Sequence, residues 1–392
     1  MAPRYDPEPG PRGLARRLSA LAAAGVPVRC GVVLGLHPPG AGSSRVAEVT
    51  HTLARHLVDG TASPRFNTVP SPMTRVYAAA SRGRLDALGP DMKAFPADLA
   101  TPLWWRVLDR TGGPLTTVER STAADLLLRL GYQRRAADVV GDRPELVVKR
   151  LAVRYWSSPS STEIESEALR EAHDRGHPAE VRHTLALFVV ARNGRRGTAT
   201  PAFHEAAAVA SRTIPSDPLR LQAHYRALAF VPYLRGDLPG TWTLLRRAVE
   251  CQYSVVPETP LERLAWEDHA FPLHETIART HLLTGAPDRA AAETDHLVTL
   301  SPNDHRTWSL RGDAFLAADR LEEAITAYDR GVALGGLPAA RAAFHRGWAQ
   351  RRLGLRAEAA ESFALSQRID PTAPAVAEAL AEVSGVGAGG GA

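Results

Sequence analysis

Histidine is the side chain in this sequence with the most chemistry to offer: there are fourteen among 392 residues. A helix that binds a catalytic zinc needs two histidines four apart, with a glutamate after the first, so that both imidazoles reach one ion. His204-Glu205 and His274-Glu275 each open that pattern, but Ala208 and Ala278 fill the second ligand position. His173 and His177 have the right separation, yet Gly176 and Pro178 place a turn there and spoil a shared face. The histidines therefore read as hydrogen-bonded packing residues, and neither a metal nor a cofactor is expected. Cys30, beside Arg29, has a cation that would lower a thiol pKa; a small buried residue in a strand explains it as well. The segment His37–Ser44 is rich in Gly, Pro and Ser between a valine-rich run (28–36) and a helical pattern (45–58). Strand, loop and helix start together make an anion site conceivable. Gly35 and Gly40 have phosphate-loop spacing, but Ala41 and Gly42 stand where Lys and Ser/Thr are required. Ser43 or Ser44 acting as an ordinary N-cap accounts for the same residues. No nucleophile elbow, zinc-ribbon spacing or dinucleotide fingerprint is present, so no motif supports catalysis.

The elements that hold these residues follow from a repeat. Ala290, Ala324 and Ala359 recur at separations of 34 and 35 residues, and Pro302 and Pro371 each end a unit. Within 305–338, large and small residues alternate: Trp308, Gly312 and Phe315 on one helical stretch, Leu321, Ala324, Tyr328 and Gly331 on the next, with Pro338 near the exit. Segment 340–373 carries Gly347, Gly354, Ala359, Phe363 and Pro371, and segment 271–304 carries Gly285, Ala290, Leu297 and Pro302, with His274 and His281 at the aromatic positions. A unit of roughly 34 residues built this way is a pair of helices whose backbones approach at the small residues.

These residues resemble the tetratricopeptide repeat, strongly over 271–373 and in fainter form over 117–270. There are departures: Arg311 stands where the family has a leucine, and Ala343 where it has the first aromatic. The resemblance implies a mostly α fold, an α-solenoid of helical hairpins. Residues 1–11 then form a loose tail, 12–116 a small non-repeat region that is helical or α/β, 117–270 degenerate hairpins, 271–373 three repeats, 374–384 a capping helix, and 385–392 a Gly/Ala-rich tail. Trp104 and Trp105 would dock a helix of the non-repeat region on the solenoid.

In the family, the first helix of each unit lines a concave groove, one or two places away from the packing positions. Carried onto this sequence, the groove would show Arg226, Phe230 and Tyr233, then Glu275 and Arg279, then Arg306, Ser309 and Asp313. The last unit adds Arg341, Phe344, Trp348, Arg351 and Arg352. Three arginines and a tryptophan suit a peptide or protein segment with acidic groups, held by carboxylate forks and one apolar anchor. The alternative is a solvated helix face whose arginine stems cover the core, with Trp348 packed on the cap. The Lys and Asn of the chaperone-tail clamp are absent at these positions.

Composition narrows the class. The basic residues are nearly all Arg, the only lysines being Lys93 and Lys149, which fits a GC-rich bacterial genome; the net charge of +5 is mild and does not by itself argue for nucleic acid, which is not an expected partner. Two distant cysteines, Cys30 and Cys251, fit a reducing cytoplasm. No stretch approaches the ~20 apolar residues of a membrane span. The expected function is a cytoplasmic scaffold or adaptor that grips a partner segment. The rival is a peptide-tailoring, for example cyclising, enzyme of a bacterial peptide pathway, with Cys30 and His37 in its N-terminal region and the groove presenting substrate.

Overall fold

The computed structural model describes residues 133–157, 162–258, 260–300, 304–334 and 338–385, with positions 5, 6, 16, 20, 114–118, 120, 121 and 124. Cys30, His37, the Gly/Ser loop before Arg45, and Trp104-Trp105 lie outside the described residues, as do most of 12–116 and the stretch after Gly385.

Every long regular element among the described residues is an α-helix. In chain order these are α1 (Gln133–Val140), α2 (Val147–Ser157), α3 (Glu163–His173), α4 (Ala179–Arg196), α5 (Pro201–Arg212), α6 (Pro218–Leu228), α7 (Phe230–Leu234) and α8 (Leu238–Tyr253). They continue as α9 (Pro260–Leu283), α10 (Pro287–Leu300), α11 (His305–Ala317), α12 (Leu321–Ala333), α13 (Pro338–Arg352), α14 (Arg356–Ile369) and α15 (Pro374–Ser384). Their starts are written locally. Thr200, Asp217 and Asp237 each precede a helix with proline in its first two positions, and each side chain accepts a hydrogen bond from a backbone N–H of the first turn. No helix among the described residues is long and apolar enough to cross a membrane.

The chain divides into two compact units, with one cut inside α9 between Thr276 and Ile277. The first unit holds Pro114–Asp125 and Ala136–Thr276. Its core runs from Val147 and Leu151 through Ile164, Ala168, Leu185 and Val189 to Phe203, Ala206 and Leu228. Gly194 on α4 is indispensable there: a Cβ at that position would come within 2.2 Å of the Phe230 ring. Beneath this core lies a charged network. Buried Glu165 meets the Arg192 guanidinium at 2.8 Å and Arg196 at 3.2 Å, and Arg192 sits 4.9 Å from the Tyr155 ring centroid.

The second unit includes Ile277–Ala392 and positions near the N-terminus. From α10 to α15 consecutive helices pack on one another, and α11 also touches α13. That nearest-neighbour stacking is the quasi-one-dimensional order of an α-solenoid. Small residues set the approach between helices of a pair. A Cβ on Gly312 would lie 2.4 Å from the Tyr328 ring, and one on Gly347 would lie 2.7 Å from Phe363. Ala290, Ala324 and Ala359 have no exposed surface.

The turns repeat as faithfully as the helices. Gly285, Asp319 and Gly354 all adopt positive φ, at +72°, +63° and +79°. They are spaced like the buried alanines, and each turns the chain from one helix of a pair to the next. A left-handed residue without side-chain strain favours glycine; Asp319 is the one described non-glycine residue in that region.

Candidate functional site

The face to test is the one the first helices of the C-terminal repeats present. On α11, Asp304 caps the helix through Arg306 N–H, and the Arg306 guanidinium folds back onto the same carboxylate at 2.8–3.3 Å. Arg306 thus clasps its own cap. Ser309 is buried. One turn further on, Asp313 accepts the Tyr328 hydroxyl at 2.8 Å and the Arg341 guanidinium of α13 at 2.6 Å. Burial would raise the Asp313 carboxyl, but Arg341, His345 and the Tyr328 hydroxyl outweigh it and hold the pKa below the usual range. On the other side of the pair, Arg341 is held above its ordinary value by Asp313 despite its own desolvation. Burial, reinforced by Asp313, pushes the Tyr328 phenol well up.

Continuing along α13, Phe344 is not a surface anchor. It has no exposed surface, and its ring packs against Phe363, Trp348 and His345. The expectation of a groove-exposed Phe344 is thereby corrected: neighbouring rings and the core of α14 and α15 close over it. Trp348 is half-buried against the same core, its ring 6.2 Å from that of Phe363 on α14. The Arg351 guanidinium stacks 4.4 Å from its ring centroid, and the indole N–H is buried without an acceptor. Arg351 also pairs with Glu382 on α15, and Arg352 with Asp319 in the turn after α11.

Arg341, Arg351 and Arg352 thus each hold a carboxylate of this chain. The pairs differ in depth. Asp313 is 21% exposed in its side chain, whereas Glu382 and Asp319 are 59% and 72% exposed.

One residue on this face lies far off in sequence. Tyr5, within the segment expected to be loose, packs its ring 5.8 Å from that of Phe344 and gives its hydroxyl to Asp370. Tyr5 and Asp370 were not singled out from sequence, although a single aromatic in a proline-rich stretch, and an Asp before Pro371, are the only signals they carry.

The remaining expected residues divide between the units. Arg279 is exposed on the C-terminal part of α9. In the first unit, Tyr233 and Glu275 are half-buried, and Phe230 turns inward over Gly194 onto the core. Arg226 is half-buried: desolvation, then Arg195, push its pKa down to about 10 against the opposing charge of Glu275. Several of the described histidines are hydrogen-bonded to other side chains. His183 and His224 are both buried, with ring nitrogens 2.9 Å apart, and His274 meets the Tyr253 hydroxyl at 2.9 Å. His173 and His177 go to different partners, Glu205 and Glu171.

No protein-family model matches the chain, and no curated protein matches it. Solved structures do. The TPR2AB domain–pHSP90 complex of yeast Sti1 is 14% identical over 68% of this chain and 98% of that one, with a TM-score of 0.27. A signal-transduction ATPase with numerous domains and a tetratricopeptide repeat sensor, from Pyrococcus horikoshii, is 12% identical over 94% of this chain, which spans 52% of that one, with a TM-score of 0.46. The APC/C hetero-tetramer Cut9–Hcn1 is 12% identical over 80% of this chain and 62% of that one, at a TM-score of 0.33. Every one of these scores is below 0.5, and the repeated helical hairpins are read from the chain's own period, turns and small-on-large packing.

Proposed function

We propose that the chain is a tetratricopeptide-type scaffold that binds a segment of a protein partner along the first-helix face of its C-terminal repeats. The observation that carries this reading is the set Arg341, Trp348, Arg351 and Arg352 on one helix, each arginine 38–45% exposed in its side chain. The reading keeps acidic groups on the partner. Exposed ion pairs contribute only about 0–1 kcal/mol, so a partner carboxylate exchanges with Glu382 or Asp319 at little cost. The pair Arg341–Asp313, deeper and tied to Tyr328, stays closed and shapes the face. The arginine-rich, lysine-poor composition and the two separated cysteines support placing this activity in a bacterial cytoplasm.

The test is co-purification with the full chain, identified by mass spectrometry, against the double variant Arg351→Glu with Arg352→Glu. Both side chains lie at the surface, so the fold should survive. Loss of specific partners at an unchanged melting temperature is the expected result. An unchanged set of partners would show that this face does not do the binding.

A further inference from the structure

Tyr5 is held by more than apolar contact. Its ring is tilted 49° against Phe344 at 5.8 Å, an aromatic pair within normal contact range. Its hydroxyl donates to Oδ2 of Asp370, a carboxylate only 1% exposed. The other oxygen of Asp370 is already engaged by Thr372, through the backbone N–H at 3.0 Å and the hydroxyl at 2.6 Å. Asp370 is therefore fixed in orientation at the C-terminal end of α14, with one oxygen turned to the phenol. Ring and acceptor come from α13 and the α14–α15 turn.

We infer that Phe344 and Asp370 form a seat that reads a tyrosine side chain, filled here in cis by Tyr5, and that a partner segment presenting a tyrosine competes with Tyr5 for it. This rests on the reading of the first-helix face as the partner-binding surface, and adds to it the chemistry of one subsite and a built-in competitor. Asp370 supplies the selectivity. A phenylalanine would leave a buried carboxylate oxygen without its donor, and a site built to bond a hydroxyl rejects the analogue that lacks it. A phosphotyrosine would set its negative charge against Asp370. The tethered Tyr5 acts at the high effective concentration of an intramolecular ligand, so a free segment gains entry only when it binds more tightly or when the N-terminus is drawn away.

The experiment uses the full chain and a fluorescent peptide of its own residues 1–12, followed by anisotropy. The Tyr5→Ala chain is expected to bind this peptide at least tenfold more tightly than the unaltered chain. The same peptide with phenylalanine at position 5 should bind at least fivefold more weakly, and its phosphotyrosine form should not bind. In an Asp370→Asn, Tyr5→Ala chain the preference for tyrosine over phenylalanine should shrink. Equal affinity for the unaltered and Tyr5→Ala chains, no binding to the Tyr5→Ala chain, or equal affinity for the tyrosine and phenylalanine peptides would each overturn the proposal. A change of oligomeric state on Tyr5→Ala would also overturn it, by assigning Tyr5 to a second copy. Failure here with loss of partners in the Arg351→Glu, Arg352→Glu chain removes the tyrosine seat and leaves the groove reading standing.

Discussion

Arg341 on α13 reaches across to Asp313 on α11 at 2.6 Å, joining the first helices of consecutive repeats, and the same carboxylate holds the Tyr328 hydroxyl of α12 at 2.8 Å. Three helices thus meet at one carboxylate, which makes the register of one hairpin on the next depend on Asp313. The three groups bind as a unit, and their energies should not add.

Asp313→Ala is expected to destabilise the C-terminal unit by about 1–3 kcal/mol, because it leaves a buried phenol without its acceptor. Asp313→Asn should cost less, since its amide oxygen still accepts from Tyr328. Urea unfolding of the two variants and of Arg341→Ala, analysed as a double-mutant cycle, measures the coupling. The lowered Asp313 pKa contributes stability that is present above the unfolded-state value near 3.8 and lost as pH falls through the lower folded value.

The buried imidazoles respond to acid at a higher pH. Burial pushes His183 and His345 down to about 4 in the folded chain; His224 adds to the shift at His183, while at His345 the opposing charge of Asp313 limits it. A depressed histidine pKa means that the unfolded chain takes up the proton first. Stability is therefore complete above pH 6.5 and falls between 6.5 and about 4, by on the order of 3 kcal/mol per site. His345→Phe should flatten that slope in urea midpoints measured from pH 7 to 4; an unchanged slope would assign it to other groups.

Gly312→Ala and Gly347→Ala place a methyl against the rings of Tyr328 and Phe363. Overpacking of this kind costs about 1–3 kcal/mol. Thermal denaturation should show both variants melting below the unaltered chain, and a neutral result would mean that the helix pairs are looser than these distances imply.

Asp319 holds a left-handed conformation that its repeat equivalents assign to Gly285 and Gly354. Asp319→Gly should relieve about 1 kcal/mol of backbone strain while giving up the exposed Arg352 pair. A net gain of a few tenths of a kcal/mol is expected by chemical denaturation. Gly354→Ala, the reverse experiment, should lose about 1 kcal/mol.

In the first unit, Glu165 and Arg192 are 8% and 2% exposed in their side chains. Glu165→Ala leaves a buried guanidinium without its counter-charge and should cost about 3–5 kcal/mol. The double variant Glu165→Leu with Arg192→Met should recover much of that loss. Circular dichroism of the urea transition distinguishes the two outcomes.

What the sequence alone determined is the repeating part. The spacing of Ala290, Ala324 and Ala359, and the pairing of Gly312 with Tyr328 one helix later, encode which faces of neighbouring helices touch. Such contacts recur at a fixed offset, so a linear pattern carries them. The charges of the last repeat were legible as positions on a face but not as pairs. Arg341, Arg351 and Arg352 find carboxylates 28, 31 and 33 residues away, nearly one repeat, and only the rotation and height of adjacent hairpins fix which acid each one meets. Phe344 looked like an anchor because its position in the helix is a groove position; its burial depends on Phe363, the cap helix and a tyrosine 339 residues upstream. Tyr5 and Asp370 are 365 residues apart, and no periodicity links them. Helices and their packing stripes come from local chemistry repeated along the chain, whereas a contact between distant segments exists only once the stacked helices have created the place where it forms.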